Sequence, residues 1–332
     1  MAVGLQEIYL SPDYINQTNH QLSRIRGYDG ISPEGFATDF LGVHTDVKFF
    51  QVLQPTLAEN ARPKQRVSIG QNPTIDNGEG YFELGSLAAA INDCSGKFVM
   101  AELGGGWGPR VAAARKLVQQ LNPVDDFYIV VEAMAGHCQW IREHMLNNGM
   151  QPENQSIIHA TVWSDNTPKL FPVCSGVMGQ NPALTVPEMV DNLSPENAKT
   201  ALQSVIDTGA LGIEEQYQSK WASVKRGWSF VSSVTLRDLF LPVDIVDYVD
   251  MDIQGAELRV ISKDMEILEK KVKRIHVGTH SMEIHDRLLD QFSSGKWELV
   301  VQIPPDGDYD SQWGSFTAHD GILSLVNKNL TY

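Results

Sequence analysis

The chain has 332 residues, and its 26 Lys+Arg against 41 Asp+Glu leave a formal charge of −15 at pH 7. With 42% hydrophobic and 20% charged residues its composition is ordinarily globular, which excludes wholesale disorder. The acidic balance speaks against a nucleic-acid partner and against an anionic membrane surface, since both require clustered Lys and Arg. Cys94, Cys138 and Cys174 are far apart and show no Cys-x-x-Cys spacing, so neither a disulfide framework nor a cysteine zinc site is expected. The first residues, Met1-Ala2-Val3-Gly4-Leu5-Gln6-Glu7, lack a basic stretch followed by an apolar core. No apolar run approaches the roughly 20 residues of a membrane span. The expectation is a cytoplasmic protein.

Residues 1–80 are irregular, with scattered Gly, Pro, Asn and Asp around short apolar stretches such as Val47-Lys48-Phe49-Phe50-Gln51-Val52-Leu53. They read as an N-terminal extension of short helices over residues 1–85, covering a pocket or making a homo-oligomer contact. Residues 86–332 then form the main domain. From residue 97 apolar β-type runs alternate with helical stretches, the signature of a mostly parallel α/β sheet. The first strand is Lys97 to Leu103, followed by a Gly-rich turn and a helix from Pro109 to Leu121, where Pro suits the first helical position. A second strand (127–132), a helix (136–148, closed by Asn147-Asn148-Gly149) and a third strand (156–162) follow. Residues 164–228 read as an insertion with a helix from Pro195 to Ile206, capped by Ser194. The sheet resumes over 244–252, then a helix (256–269), a strand (273–278), a helix near 285–292, and two late strands (297–303 and 321–326). The last two predict an antiparallel hairpin at one end of the sheet.

The strongest chemical signal is Glu102-Leu103-Gly104-Gly105-Gly106-Trp107-Gly108, between a strand and a helix. Its glycines permit positive φ and let a ligand lie against bare backbone. The dinucleotide pattern Gly-x-Gly-x-x-Gly fails at its third position, which is Pro109. The pattern Glu-x-Gly-x-Gly-x-Gly is complete in Glu102, Gly104, Gly106 and Gly108. That is the first motif of Rossmann-like methyltransferases. Glu132 ends the second strand, where open parallel sheets bind ligands, and its carboxylate can accept both ribose hydroxyls of an adenosine. Asp250-Met251-Asp252-Ile253-Gln254-Gly255-Ala256-Glu257 places Asp250 and Asp252 on one strand face. Asp252, nearer the carboxyl edge, reads either as a catalytic carboxylate or as a cap of the next helix. In His276-Val277-Gly278-Thr279-His280-Ser281-Met282-Glu283, His280 reads either as a general base or as a satisfied structural histidine.

Glu102 to Gly108, Val131-Glu132, Thr235-Leu236-Arg237-Asp238-Leu239 and Val249 to Glu257 occur in an order that resembles the FkbM family of S-adenosyl-L-methionine (SAM)-dependent methyltransferases, over about residues 97–290. The resemblance is most specific at the Asp-x-x-Gly-Ala-Glu block, Asp252 to Glu257. It departs at Gln254, where an acid is frequent, in the long segment 164–228, and in the unmatched first 80 residues. It implies a Rossmann-like class I fold, a mostly parallel seven-stranded sheet with a C-terminal antiparallel hairpin. It also implies O-methylation of sugar or polyketide hydroxyls, or N-methylation of a peptide side chain in some members.

The expected cofactor is SAM, leaving as S-adenosylhomocysteine, held by Glu102, Gly104, Gly106, Trp107, Gly108, Glu132, Ala160 and Asp250. Asp252 and His280 are the catalytic candidates, for in-line transfer to a small-molecule acceptor under a lid built from the insertion. No metal ligand is assigned; a metal-assisted methyltransferase using Asp250, Asp252 and His280 around Mg²⁺ is a further alternative. An NAD-linked oxidoreductase and a non-catalytic binding module are the competing readings.

Overall fold

The computed structural model describes residues 8–49, 63–70, 73–174, 218–219, 222–223 and 226–330. Eight strands form one sheet, numbered here in chain order: β1 (Tyr9–Leu10), β2 (Phe98–Leu103), β3 (Asp126–Glu132), β4 (Gln155–His159), β5 (Val246–Met251), β6 (Val272–Thr279), β7 (Trp297–Ile303) and β8 (Gly321–Asn327). Their order across the sheet is β1-β7-β8-β6-β5-β2-β3-β4. The strands from β2 to β6 pair in parallel. β8 runs antiparallel between β6 and β7, and β1 is antiparallel to β7. This is the mostly parallel sheet with an antiparallel C-terminal end that the sequence predicts. Seven strands are foreseen there; the eighth, Tyr9–Leu10, is too short to show any alternation.

The helices are α1 (Tyr14–Ser23), α2 (Glu79–Asp93), α3 (Pro109–Leu121), α4 (Ala135–Asn147), α5 (Leu236–Phe240), α6 (Glu257–Lys271) and α7 (Met282–Phe292). Strand periodicity divides the core into two layers. Phe98, Met100, Tyr128 and Tyr248 face Phe82, Ile91 and Leu117 of α2 and α3. Ala101, Leu103, Val131, Val249 and Met251 face Val260, Ile261 and Leu288 of α6 and α7. Both faces are covered, so the strands read as near-continuous apolar runs.

Three regions differ from the sequence reading or extend it. Helix α2 lies across residue 85, where the extension was expected to end, and its buried side chains point nearly all round. With α1 packed on it, Tyr14, Ile15 and Leu22 join the main core, each burial contributing roughly 1.5–3 kcal/mol. The third strand is broken. β4 stops at His159, and Thr161–Val162 leaves the sheet to pair in parallel with Ser233–Val234. Ala160 is the joint, its N–H donating to the Glu132 carbonyl at 3.0 Å. Within the expected insertion, Lys169–Cys174 and Arg226–Val231 zip together as an antiparallel ribbon, while the helix expected from Pro195 to Ile206 lies outside the described residues. Among the described residues no helix is long and apolar enough to cross a membrane.

Candidate functional site

The Gly-rich turn sits at the carboxyl end of β2, the middle of the sheet. Gly104, Gly106 and Gly108 take φ of 88°, 54° and 77°, which only glycine adopts freely. The N–H groups of Gly104 and Gly105 both donate to the Val131 carbonyl at 3.0 Å, tying the turn to β3. Glu132, 8% exposed, closes it from the other side. Its Oε2 accepts from Gly106 N–H at 2.8 Å and its Oε1 from Met134 N–H at 2.7 Å. Oε1 also faces the buried His137 Nδ1 at 3.5 Å, while Oε2 keeps a second lone pair able to accept from a ligand hydroxyl. Glycine backbone, an acidic acceptor one strand along and the buried Ala160 beside it thus converge at one corner.

Glu102 and Asp250 lie beneath the turn. They face one another across β2 and β5 in register, and both are buried. The Glu102 carboxylate accepts from the backbone N–H groups of Arg110 (3.2 Å) and Val111 (3.0 Å), so it caps the start of α3. The Arg110 guanidinium pairs with Glu83 of α2, and its Nε is 4.0 Å from Asp250 Oδ2. The row continues through His276, whose Nδ1 is 2.7 Å from Ser324 Oγ. Burial, with Arg110 nearby, holds that imidazole down at about 3, so it stays neutral. The structure therefore places these two acids in a polar seam under α2, with Glu102 bound to the residues that directly follow the Gly-rich turn.

The seam gives the fold a pH dependence. Burial, and then the charge of Asp250, push Glu102 up to about 8. Burial, opposed by Arg110, pushes Asp250 up to about 7. Both stand above the unfolded carboxylate range near 4, so the stability gained from the protonated forms is complete below about pH 4 and is lost as pH rises through about 7 to 8. The melting temperature is expected to fall between about pH 5 and about pH 8.5. Glu102→Gln should flatten that fall, and an unchanged slope in the variant would clear Glu102 of responsibility.

Asp252 follows β5, its N–H bound to the Leu103 carbonyl at 2.9 Å. The next turn is strained, with Gln254 at φ 58° and Gly255 at φ 102°. Two contacts hold it: Gln254 Nε2 donates to Asp252 Oδ1 at 2.6 Å, and the fully buried Glu257 accepts from the N–H groups of Ile253 and Gly255. His280, at the end of β6, has Nε2 at 3.2 Å from Asp252 Oδ1 and Nδ1 at 3.1 Å from Glu257 Oε1. Asp320, between the Gly314–Ala318 strand and β8, brings its Oδ1 to 3.7 Å from the same Nε2. Burial would lower the His280 imidazole, but the carboxylates of Asp252 and Glu257 outweigh it and push it up to about 11. Desolvation would raise Asp252, but His280 and Gln254 hold it below the usual carboxylate range. At neutral pH the pair is therefore an imidazolium beside a carboxylate, and the atoms able to take a proton are those of Asp252. Sequence reasoning pairs Asp252 with His280 but misses Asp320, whose one local signal is the turn His319-Asp320-Gly321.

A cleft of about 860 Å³ opens between residues 37–45 and 73–77 and the starts of α2 and α3, lined by Phe40, Leu84, Trp107, Arg110, His144 and Tyr248 among others. Trp107 thus borders this cleft, its carbonyl 2.9 Å from His144 Nδ1.

No protein-family model and no curated protein matches the chain. Among solved structures it is similar to methyltransferase FkbM from Methylobacillus flagellatus KT, with TM-score 0.38 and 10% identity over 70% of this chain and 44% of that one. It is also similar to an O-methyltransferase from Bacillus cereus in complex with S-adenosylhomocysteine, with TM-score 0.37 and 12% identity over 86% and 92% of the two chains. A third similarity is to an rRNA methylase from Streptococcus thermophilus, with TM-score 0.37 and 8% identity over 74% and 95%. At these values the similarities carry no weight for activity.

Proposed function

We propose that the chain is a SAM-dependent methyltransferase, of the kind the FkbM resemblance implies, acting on a hydroxyl of a small natural product. The observation that carries this is the convergence of three positive-φ glycines with the Glu132 carboxylate at the carboxyl end of β2 and β3. Gly104, Gly106 and Gly108 would offer backbone to the cofactor, Glu132 would accept from its ribose, and Ala160 and Trp107 would flank it. Glu102 and Asp250 serve from beneath, Glu102 by shaping the turn and Asp250 by charge within the seam. When bound, SAM supplies a methyl group already activated on sulfonium sulfur. The protein then has to orient the acceptor oxygen and take its proton. Asp252 takes that proton, and His280 balances its charge and holds it in place. The bulk charge of −15 favours a neutral or cationic acceptor over a phosphate-rich one.

Calorimetric titration with S-adenosylhomocysteine, with NAD run beside it, tests the reading. Saturable binding of the first and none of the second is the expected result. Binding of NAD alone would replace the methyltransferase with an oxidoreductase.

A further inference from the structure

Asp252, His280 and Asp320 come from three separate segments, yet each offers one ligand atom and the three lie within 4.8 Å of one another. The His280 side chain is only 10% exposed, and neither ring nitrogen makes a hydrogen bond of good geometry. Its Nδ1 faces the fully buried Glu257 carboxylate, which leaves Nε2 aimed between the two aspartates. A carboxylate behind the far nitrogen of an imidazole is the arrangement that orients metal-binding histidines.

We infer that Asp252, His280 and Asp320 form a binding site for one divalent transition-metal ion, of the Mn²⁺ type. Spacing, charge and exposure support it independently. Ligand atoms bound at about 2.1 Å and at right angles to one another lie about 3.0 Å apart, and at tetrahedral angles about 3.4 Å. The observed separations from Nε2, 3.2 and 3.7 Å, fit one shared ion with small adjustment. Asp252, Glu257 and Asp320 bring three negative charges against His280; a divalent ion entering there displaces the proton that these carboxylates otherwise hold on the imidazole and supplies the positive charge in its place. Two carboxylate oxygens with one imidazole nitrogen suit Mn²⁺ better than the all-oxygen cages of Ca²⁺. The Asp252 and Asp320 side chains are 49% and 43% exposed, so the ion's remaining positions would open to solvent. Asp320 is also held in position: its N–H donates at 3.0 Å to Glu79, the first residue of α2. The site deepens the methyl-transfer reading, because the open positions lie beside Asp252, where an acceptor oxygen would arrive.

The test is an electron paramagnetic resonance titration of the full chain, freed of metal by chelator, with Mn²⁺. One equivalent of Mn²⁺ is expected to leave the free-ion signal. Asp320→Asn and Asp252→Asn should each weaken that uptake at least about 10-fold. Mn²⁺ should also raise the melting temperature of the wild type and not of either variant. A free-ion signal that persists with the wild type overturns the site. Uptake that is equal in the variants does so too, since it would then belong to the acidic surface at large. Unchanged S-adenosylhomocysteine affinity in Asp320→Asn shows that the variant is folded. Mn²⁺ uptake without S-adenosylhomocysteine binding would retain the metal site and remove the methyl-transfer reading; the reverse result would do the opposite.

Discussion

Replacement of Glu132 by Ala is expected to weaken S-adenosylhomocysteine binding at least about 100-fold, equivalent to about 2.7 kcal/mol. Two losses combine. The proposed ribose acceptor disappears, and hydrogen bonds to a charged group are among the stronger ones, at about 1.5–3 kcal/mol. The N–H groups of Gly106 and Met134, which Glu132 now holds at 2.8 and 2.7 Å, also lose their acceptor, so the turn loosens. Glu132→Gln keeps one acceptor oxygen and should fall between the two, about 10-fold weaker than wild type. Dissociation constants and melting temperatures measured together separate the effects. An Ala variant that melts lower but binds as tightly as wild type would make Glu132 a brace of the loop and nothing more.

Gly104→Ala is expected to be the most damaging small substitution in the site. A Cβ there would overlap the Asp252 carbonyl oxygen, because β2 and β5 converge at this point. The φ of 88° adds a further cost for any L-residue. Together these should remove about 3 kcal/mol of stability, read as a melting temperature about 5–10 °C lower, and abolish S-adenosylhomocysteine binding. Gly136→Ala is the control: a Cβ at that helical position meets open space, so stability should hold or rise slightly. Equal melting temperatures for Gly104→Ala and wild type would mean that the strand ends are less tightly apposed than described. The requirement for glycine at 104 is thus partly architectural, and a ligand benefits from a backbone that packing has already exposed.

The comparison between the two aspartates shows how far a one-dimensional pattern reaches. Strand periodicity puts Asp250 and Asp252 on the same face, and the structure agrees: Tyr248, on that face as well, packs toward α2, while Val249 and Met251 turn to the other layer. Periodicity is silent on what stands above each residue. Asp250 lies under Arg110 within the seam, and Asp252, two residues on, reaches the open edge beside His280. Helix α2 escaped the sequence reading for a related reason. Gly80 and Gly85 resemble turn signals, and burial between α1, α3 and the sheet leaves no polar face to produce a 3.6-residue alternation.

What the sequence by itself determined is therefore local. The Gly-rich turn, Pro109 at the first position of α3, the apolar runs of β2, β3, β5 and β6, and the acids at strand ends depend on φ preferences, missing N–H groups and two-sided burial within a few residues of chain. The tertiary structure alone decided which acid meets which partner. It turned Glu102 inward to cap α3, gave Arg110 its carboxylates from three elements, and carried Asp320 to His280 from a loop 40 residues away in the chain. Such contacts depend on strand order and on the packing of α2, which bring distant residues together at separations that no local periodicity encodes.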